Sequence, residues 1–169
     1  MSTTADHVAR ALRSEGIERV YGLPGEQTDA LLLALEAASI RFIAVRHEQA
    51  AAMMAVGDAR ISGKPAVCLA TVGPGALNLA TGLATATLDG VPIVAISAQV
   101  DTSRQHRIYH QRIDTLGALA PTCVFSAALR VPETATEVVR LAFAEAVRKG
   151  GAAHIEVAPD VAGADTSAS

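Results

Sequence analysis

The sequence is poor in aromatic and charged residues. Aromatic side chains make up 3% of the 169 residues and tryptophan is absent, which argues against a surface that stacks the bases of single-stranded nucleic acid. Charged residues make up only 18%, and the formal net charge of -3 provides no basic surface, so nucleic acid is not an expected partner. Hydrophobic residues reach 50%, and we expect part of this apolar surface to contact another chain.

Cysteines and uninterrupted hydrophobic spans are also scarce. The two cysteines, Cys68 and Cys123, fall in predicted strands, and a pair of buried thiols fits a reducing cytoplasm better than a disulfide framework. Residues 65–88 carry no charge, but a turn at 73–75 divides them into halves too short to span a bilayer. The first residues lack the basic and apolar blocks of a signal peptide. These features predict a cytoplasmic protein with no membrane partner.

Short apolar runs alternate with helix-like segments along the chain. Strands are predicted at 19–21, 41–45, 66–70, 92–98, 122–126 and 153–157. Helices are predicted at 5–15 (with Thr4 as its cap), 27–38, 48–61, 77–88, 113–119 and 132–148. About six such alternations predict an α/β fold: a three-layer, doubly wound, mainly parallel sheet of about six strands with helices on both faces. We place this domain at residues 1–161, followed by a flexible tail at 162–169.

Arg46, His47 and Glu48 lie where the second predicted strand turns into the third predicted helix. In open α/β sheets, ligands bind at this carboxyl edge of the strands. Position alone leaves two interpretations of Glu48: a functional carboxylate, or a residue favoured in a first helical turn by the helix dipole. We interpret His47 as a structural hydrogen-bonding residue rather than an acid or base.

Glycine-rich turns follow several predicted strands, including those at 22–25 and 73–75. The first turn lacks the G-x-G-x-x-G spacing of a dinucleotide-binding domain, and no P-loop motif occurs, so a nucleotide-binding protein is disfavoured. A generic α/β turn remains an open interpretation of the second. Residues 57–59, Gly-Asp-Ala, fall inside a predicted helix, where their backbone N–H groups cannot meet a phosphate.

An ordered set of short blocks resembles a known family. The blocks are Tyr-Gly-Leu-Pro-Gly at 21–25, Val-Arg-His-Glu-Gln-Ala-Ala at 45–51, Gly-Asp-Ala-Arg at 57–60, Thr-Val-Gly-Pro-Gly-Ala-Leu-Asn at 71–78, Asp-Gly-Val-Pro-Ile-Val at 89–94 and Ala-His-Ile-Glu-Val-Ala-Pro-Asp at 153–160. Together they resemble the amino-terminal, pyrimidine-binding domain of thiamine diphosphate-dependent enzymes, in the group of acetolactate synthase, pyruvate oxidase and benzoylformate decarboxylase. The resemblance covers residues 7–161, in the family's order.

The resemblance implies roles for particular residues. Glu48 would be the glutamate that hydrogen-bonds the aminopyrimidine ring of thiamine diphosphate and promotes the tautomer that activates this cofactor. A carboxylate largely removed from water suits that role because it can share a proton with a ring nitrogen. The cofactor then serves as electron sink for cleaving a 2-oxo acid next to its carbonyl. The implied catalytic residues are Glu48 and Gln111, the latter on a mobile loop, and the implied cofactor-binding residues are Pro24, Gly25, Glu48, Thr71, Gly73 and Asn78.

The sequence departs from the family pattern in two places. It has His110-Gln111-Arg112 where the family often has Phe-Gln-Glu, and Glu26 where many members have Gly. The extra positive charge around Gln111 suits an anionic substrate, while a solvated loop explains residues 104–112 at least equally well. His106 and His110 are four residues apart in the sequence, but no third ligand is evident, so no metal site is predicted.

The resemblance also implies a second domain that completes the active site. Family members hold Mg and the diphosphate with a Gly-Asp-Gly motif and a downstream Asn in another domain, and this sequence has no Gly-Asp-Gly. We therefore expect a stand-alone pyrimidine-binding subunit that joins a separate Mg-holding, diphosphate-binding subunit, as a homodimer or heterotetramer. The assembled enzyme would decarboxylate a small 2-oxo acid and release or transfer the resulting acyl or aldehyde unit.

Two other interpretations stay open. One is a non-catalytic or regulatory stand-alone module that pairs with other chains through the Ala-rich helices around 49–60 and 76–86. The other is a fragment of a longer enzyme. Retention of Glu48, Gly73 and Asn78 favours an enzyme, because a pure pairing module needs none of these residues.

Overall fold

A computed structural model describes residues 2–166, which form a six-stranded, fully parallel sheet. The strands are β1 Arg19–Gly22, β2 Arg41–Ala44, β3 Ala66–Ala70, β4 Ile93–Ala98, β5 Phe125–Leu129 and β6 Ala152–Val157. Their order across the sheet is β2-β1-β3-β4-β6-β5. The central strands β3 and β4 are buried at every position, as their continuous apolar sequences require in a sheet covered on both faces.

Helices cover both faces of the sheet. They are α1 Thr4–Ser14, α2 Asp29–Ala37, α3 Glu48–Ser62, α4 Pro74–Leu77, α5 Ala80–Leu88, α6 Thr115–Leu119, α7 Ala135–Lys149 and α8 Pro159–Ala162. One apolar core lies under α1, α2 and α7, and the other under α3, α5 and α6. The predicted three-layer α/β architecture is thus confirmed. None of the helices in the described part of the chain is long and apolar enough to cross a membrane.

The strand order reverses direction next to β1, which creates a crevice. The chain leaves β1 through α2 to reach β2 on one side, whereas β3 and the later strands lie on the other side. The helices that follow β1 and β3, α2 and α5, lie on opposite faces of the sheet, while the loops that lead to them are neighbours at its carboxyl edge. Crevices of this kind are the usual ligand sites of open α/β sheets.

The start of α1 differs from the prediction by one residue. The N-cap is Thr3, whose hydroxyl accepts the Asp6 N–H at 3.3 Å, while the Asp6 carboxylate accepts the Thr3 N–H at 2.8 Å. Thr4, the predicted cap, is the first residue of the helix. A reciprocal capping box satisfies two unpaired N–H groups rather than one, which explains why the helix begins at Thr4.

Two further predicted elements differ from the structure. The helix predicted at 77–88 begins only at Ala80 as α5, and a separate short helix, α4, starts at Pro74 within the predicted turn. The two are separated where the Leu79 N–H bonds the Ala76 carbonyl and tightens the chain around Asn78. The strand predicted at 122–126 instead begins at Phe125, after a 3₁₀ turn. Cys123 therefore precedes β5 instead of lying in a strand, and it is only partly buried.

The domain continues past residue 161, the boundary predicted from sequence. Ala162 belongs to α8, and Thr3 and Asp165 form an isolated antiparallel bridge. The Thr166 N–H also donates to the Ser2 carbonyl at 2.8 Å. Residues up to 166 thus pack on the domain, and the rest of the predicted tail, 167–169, lies outside the described residues.

Helices α3 and α5 approach closely at Gly82. A Cβ on Gly82 would lie 2.3 Å from the Ala52 Cβ, which is closer than two carbons can pack. We expect Gly82→Ala to lower the free energy of unfolding, measured by urea denaturation, by roughly 1–3 kcal/mol. The control is Gly57→Ala inside α3, where a Cβ would meet nothing within 4 Å and should stabilise the protein by about 0.5–1 kcal/mol. Equal destabilisation of both variants would contradict this packing argument.

His154 is a completely buried histidine in the middle of β6. Its Nε2 lies 2.8 Å from the Ser97 hydroxyl, and its Nδ1 has no hydrogen-bond partner among residues 2–166. Burial lowers the pKa of His154 from 6.5 to about 4, because a buried imidazolium would lose its hydration. The folded protein therefore holds this side chain neutral in mildly acidic solution.

The lowered pKa of His154 predicts a loss of stability in mild acid. The unfolded chain takes up a proton at this residue below pH 6.5, whereas the folded chain does not until about pH 4. The free energy of unfolding should therefore fall by about 2 kcal/mol between about pH 7.5 and about pH 5. His154→Gln should flatten this dependence in urea denaturation, while His7→Gln on α1 should preserve it. A slope that persists in His154→Gln would assign the effect to other groups.

Candidate functional site

Glu48 opens α3 at the carboxyl edge of the sheet. The preceding residue, His47, is the N-cap of this helix, and its Nδ1 accepts the Gln49 N–H at 3.2 Å. This contact is the structural hydrogen bond predicted for His47. The local sequence thus fixes the helix start and places the Glu48 side chain next to the crevice.

Glu48 is 5% exposed, and one neighbour holds its carboxylate. Its Oε2 accepts a hydrogen bond from the side-chain amide of Asn78 at 2.9 Å. Its Oε1 has no hydrogen-bond partner in the described chain, and a Cβ on Gly75 would lie only 2.9 Å from this atom. The glycine therefore leaves one side of Oε1 open. One carboxylate oxygen is oriented by the protein, and the other is free to bond a ligand.

Two loops meet at Thr71, directly after β3. The Thr71 hydroxyl donates to the Gln27 side-chain carbonyl at 3.2 Å. A Cβ on Gly25 would lie 2.5 Å from Thr71 Oγ1, and a Cβ on Gly75 would lie 2.7 Å from Thr71 Cγ2. Only glycine allows the loop after β1 and the turn after β3 to approach each other this closely. Thr71 therefore connects the loop after β1 to the turn that carries Gly75, and Gly75 lies beside Glu48 Oε1.

Gln111 reaches this edge through its backbone. Its φ is +61°, a left-handed conformation that is unusual for a residue other than glycine. A Cβ on Gly73 would lie 2.0 Å from the Gln111 carbonyl oxygen, so the two backbones are in direct contact. The Gln111 side chain is exposed and makes no hydrogen bond with residues 2–166. It is thus free to contact a ligand beside the turn.

The structure brings together most of the residues implied by the resemblance. Glu48 contacts Asn78, Gly25 contacts Thr71, and Gly73 contacts Gln111, all within the loops at one sheet edge. Pro24 differs, because it lies exposed on the rim of the Gly25 loop. Sequence reasoning missed Gln27 and Gly75, although the spacing of the two glycines at 73 and 75 was a usable signal for a close approach.

A buried polar network under the Gln111 segment was also missed. The Glu156 carboxylate, 6% exposed, accepts hydrogen bonds from the Thr115 hydroxyl and, at 3.0 Å, from the Gln99 amide. The same Gln99 amide donates to the Ile113 carbonyl at 2.9 Å. Gln99 and Thr115 stand at the two ends of the segment that carries Gln111. Glu156 therefore fastens both ends of that segment to β6.

Removal of this carboxylate should release the segment. Glu156→Ala leaves the Gln99 amide and the Thr115 hydroxyl without their acceptor, so we expect cleavage of the native protein by trypsin in segment 100–114 to rise by at least roughly tenfold. Trypsin has three sites there, after Arg104, Arg107 and Arg112. His154→Ala is the matched control, since it removes a buried polar side chain two residues earlier on the same strand. Equal cleavage of both variants would show that lost global stability, not the network, opens the segment.

The basic residues between 104 and 112 are exposed, in agreement with the solvated-loop interpretation. Arg104 pairs with Asp101, its Nε lying 3.5 Å from the carboxylate, and its guanidinium lies 4.9 Å from the ring centroid of Tyr109. No group of three or more metal-ligating side chains occurs in the described part of the chain.

Asp58 has a structural role. As predicted, residues 57–59 lie inside α3, where the Asp58 carboxylate accepts a hydrogen bond from the Tyr21 hydroxyl at 3.0 Å and lies 3.2 Å from Arg19 Nε. Burial and this hydrogen bond to Asp58 raise the pKa of Tyr21. These contacts attach α3 to β1. The Gly-Asp-Ala sequence is therefore no substitute for a diphosphate-binding motif.

A three-layer parallel sheet with an oriented carboxylate at its crevice defines a ligand-binding α/β domain. Residues 2–118 match the family described as "Thiamine pyrophosphate enzyme, N-terminal TPP binding domain". The chain belongs to this family, which confirms the resemblance found in its motifs.

Several curated relatives share this domain. The chain is 36% identical over 166 residues to "Acetolactate synthase, catabolic" of Raoultella terrigena, covering 98% of the chain and 30% of the relative. It is 46% identical over 113 residues to "Acetolactate synthase isozyme 2 large subunit" of Escherichia coli K12. This match covers 67% of the chain and 21% of the relative. It is 37% identical over 145 residues to "Probable 2-ketoarginine decarboxylase" of Pseudomonas aeruginosa. This match covers 84% of the chain and 26% of the relative. The chain thus spans less than a third of the length of these relatives.

Proposed function

We propose that this chain is the pyrimidine-binding part of a thiamine diphosphate-dependent enzyme of the acetolactate synthase type. The enzyme would decarboxylate a 2-oxo acid and release or transfer the remaining acyl or aldehyde unit. The single observation that carries the proposal is the buried Glu48 carboxylate, with one oxygen held by Asn78 and the other unbonded in the described chain. A helix-start residue without a ligand role would not need this arrangement.

The residues at the crevice fit the pyrimidine end of the cofactor. Glu48 Oε1 can accept or share a proton at a ring nitrogen, and the Asn78 amide keeps the carboxylate in position. The glycines at 25 and 75 leave room where any side chain would contact Thr71. When bound, thiamine diphosphate supplies the electron sink for cleavage next to a carbonyl. Gln111 is exposed beside the same turn and is available to contact the reacting substrate.

A second polypeptide region must complete this site. The sequence has no Gly-Asp-Gly motif for Mg and diphosphate, so we propose that a diphosphate-binding domain outside the given residues, on the same or on another chain, holds them. The exposed side of α3 supports a subunit contact, since Met53 and Met54 are 43% and 42% exposed and Ile61 is 91% exposed. One form of this assembly that we propose is a stand-alone subunit in a heterotetramer or a homodimer.

Reconstitution tests the proposed function. The chain is combined with the diphosphate-binding domain, whether this copurifies as a separate polypeptide or belongs to the same one, and carbon dioxide release from pyruvate and other 2-oxo acids is measured. We expect turnover that requires thiamine diphosphate, Mg and both protein parts. Stable pairing without turnover of any 2-oxo acid would favour the alternative, a non-catalytic or regulatory pairing module.

A further inference from the structure

The segment that carries Gln111 is not held in place by apolar packing. None of the side chains from 101 to 114 is buried. The Gln111 backbone nevertheless has φ +61°, and its carbonyl oxygen contacts Gly73. A residue other than glycine keeps a left-handed conformation only where the contacts around it fix it there. Those contacts must therefore be polar.

The buried Glu156 carboxylate supplies the buried polar contacts of this segment. Its Oε2 accepts hydrogen bonds from the Gln99 amide and the Thr115 hydroxyl, and all three side chains are buried. The Gln99 amide also donates to the Ile113 carbonyl at 2.9 Å, only two residues after Gln111. Hydrogen bonds shielded from water hold their geometry better than exposed ones. Glu156 thus acts on the backbone next to Gln111 through one intermediate side chain.

The other anchors of the segment are exposed or only partly buried, and they lie at its beginning. The Thr102 N–H donates to the Asp160 carboxylate at 3.1 Å. The Gln105 side-chain amide donates to the Val100 carbonyl at 3.0 Å. Water competes with such bonds, so each adds little to the order of the segment. Without Glu156, the amide that holds the end of the segment would lose its own anchor.

We infer that Glu156 is a positioning residue for the proposed reaction. It fixes Gln99, which holds the Ile113 carbonyl and thereby keeps Gln111 in its left-handed conformation beside the turn. The contact of Gln111 with the substrate rests on the proposed function, whereas the series of hydrogen bonds rests on the structure alone. Without the Glu156 carboxylate, the Gln111 backbone is free to return to an ordinary conformation, which points its side chain in another direction.

Hydrogen exchange tests the series of contacts without turnover. The Arg112 N–H donates to the Tyr109 carbonyl at 3.1 Å, so its exchange rate reports the order of this turn. Glu156→Ala should raise that rate at least about tenfold. Thr115→Val, which removes one donor and keeps the side-chain volume, should raise it to a smaller extent. The matched control, His154→Ala, removes a buried polar side chain two residues earlier on β6 and should leave the rate near the wild-type value.

A double-mutant cycle in the reconstituted enzyme separates positioning from general damage. With the 2-oxo acid that is turned over fastest, Glu156→Ala and Gln111→Ala should each lower kcat/KM at least about tenfold. The double variant should be no slower than Gln111→Ala alone, since Glu156 acts only through that side chain. Glu156→Gln keeps an acceptor for both hydrogen bonds and should stay within about threefold of wild type. His154→Ala should change kcat/KM by the same factor with and without Gln111→Ala.

The outcomes separate this inference from the proposed function. If Glu156→Ala lowered kcat/KM by its full factor in the Gln111→Ala background as well, Glu156 would support only the fold and the positioning role would be overturned. Unchanged exchange at Arg112 in both Glu156→Ala and Thr115→Val would overturn it too, whether or not turnover is detected. Faster exchange in these variants without turnover in the wild-type assembly would reject the proposed function and confirm that Glu156 orders the Gln111 segment.

Discussion

Glu48→Gln should cut turnover of the reconstituted enzyme by at least about a hundredfold while leaving the fold intact. The substitution keeps an oxygen that can accept the Asn78 amide hydrogen bond, but it removes the carboxylate that can hold or share a proton. Loss of a proton-handling group costs roughly two orders of magnitude or more in rate. The measurement is single-turnover and steady-state decarboxylation, with binding of the second protein part checked by size-exclusion chromatography.

The matched control for Glu48→Gln is Glu137→Gln. Glu48 and Glu137 each lie in the first turn of a 15-residue helix, so both substitutions remove the same favourable interaction with the helix dipole. Each should change the free energy of unfolding by no more than about 1 kcal/mol. Only Glu48→Gln should lose turnover. If its turnover stayed at the wild-type level, Glu48 would be no more than a helix-start residue.

Gly73→Ala should be the most destabilising of the substitutions considered, lowering the free energy of unfolding by about 4 kcal/mol. Gly73 has φ +57° and ψ −115°, a conformation that only glycine adopts readily. An added Cβ would also lie 2.0 Å from the Gln111 carbonyl oxygen, and this neighbour is backbone rather than a movable side chain. Urea denaturation measures the loss, and trypsin cleavage after Arg112 measures displacement of the Gln111 segment.

Gly63→Ala measures the cost of an ordinary left-handed position that lacks a close neighbour. Gly63 ends α3 with φ +69°, and a Cβ there would meet no atom within 4 Å, so this variant carries backbone strain alone. We expect it to cost about 1 kcal/mol and to leave the Gln111 segment protected from trypsin. Similar losses in the two variants would mean that contact between Gly73 and Gln111 contributes little to stability.

The order of strands and helices was predictable because local patterns determine it. Continuous apolar runs at 66–70 and 93–98 indicate buried parallel strands, and the glycine at 63 marks the end of a helix. The prediction failed where the local sequence favours two structures about equally. The alanines of β5 indicate helix as well as strand, and Thr3 and Thr4 are both acceptable caps until the Asp6 contact selects one.

The candidate site was predictable through its motifs but its geometry was not. The motif resemblance identified Glu48, Asn78 and Thr71, and the structure places all three at one edge. Nothing in the sequence predicted that Gln27 bonds Thr71, since these residues are 44 positions apart. Nor could the loop sequence show that Asp101 and Tyr109 engage Arg104.

The sequence alone determined the α/β class, the order of strands and helices, and the family, because these depend on residues that are neighbours along the chain. Tertiary structure alone decided which side chains meet. Strand order places the loops after β1, β2 and β3 side by side, so that Asn78 can orient Glu48 across 30 positions and Glu156 can hold both ends of the segment that carries Gln111. Such contacts depend on how the strands are ordered in the sheet. Patterns among neighbouring residues in the sequence do not determine that order.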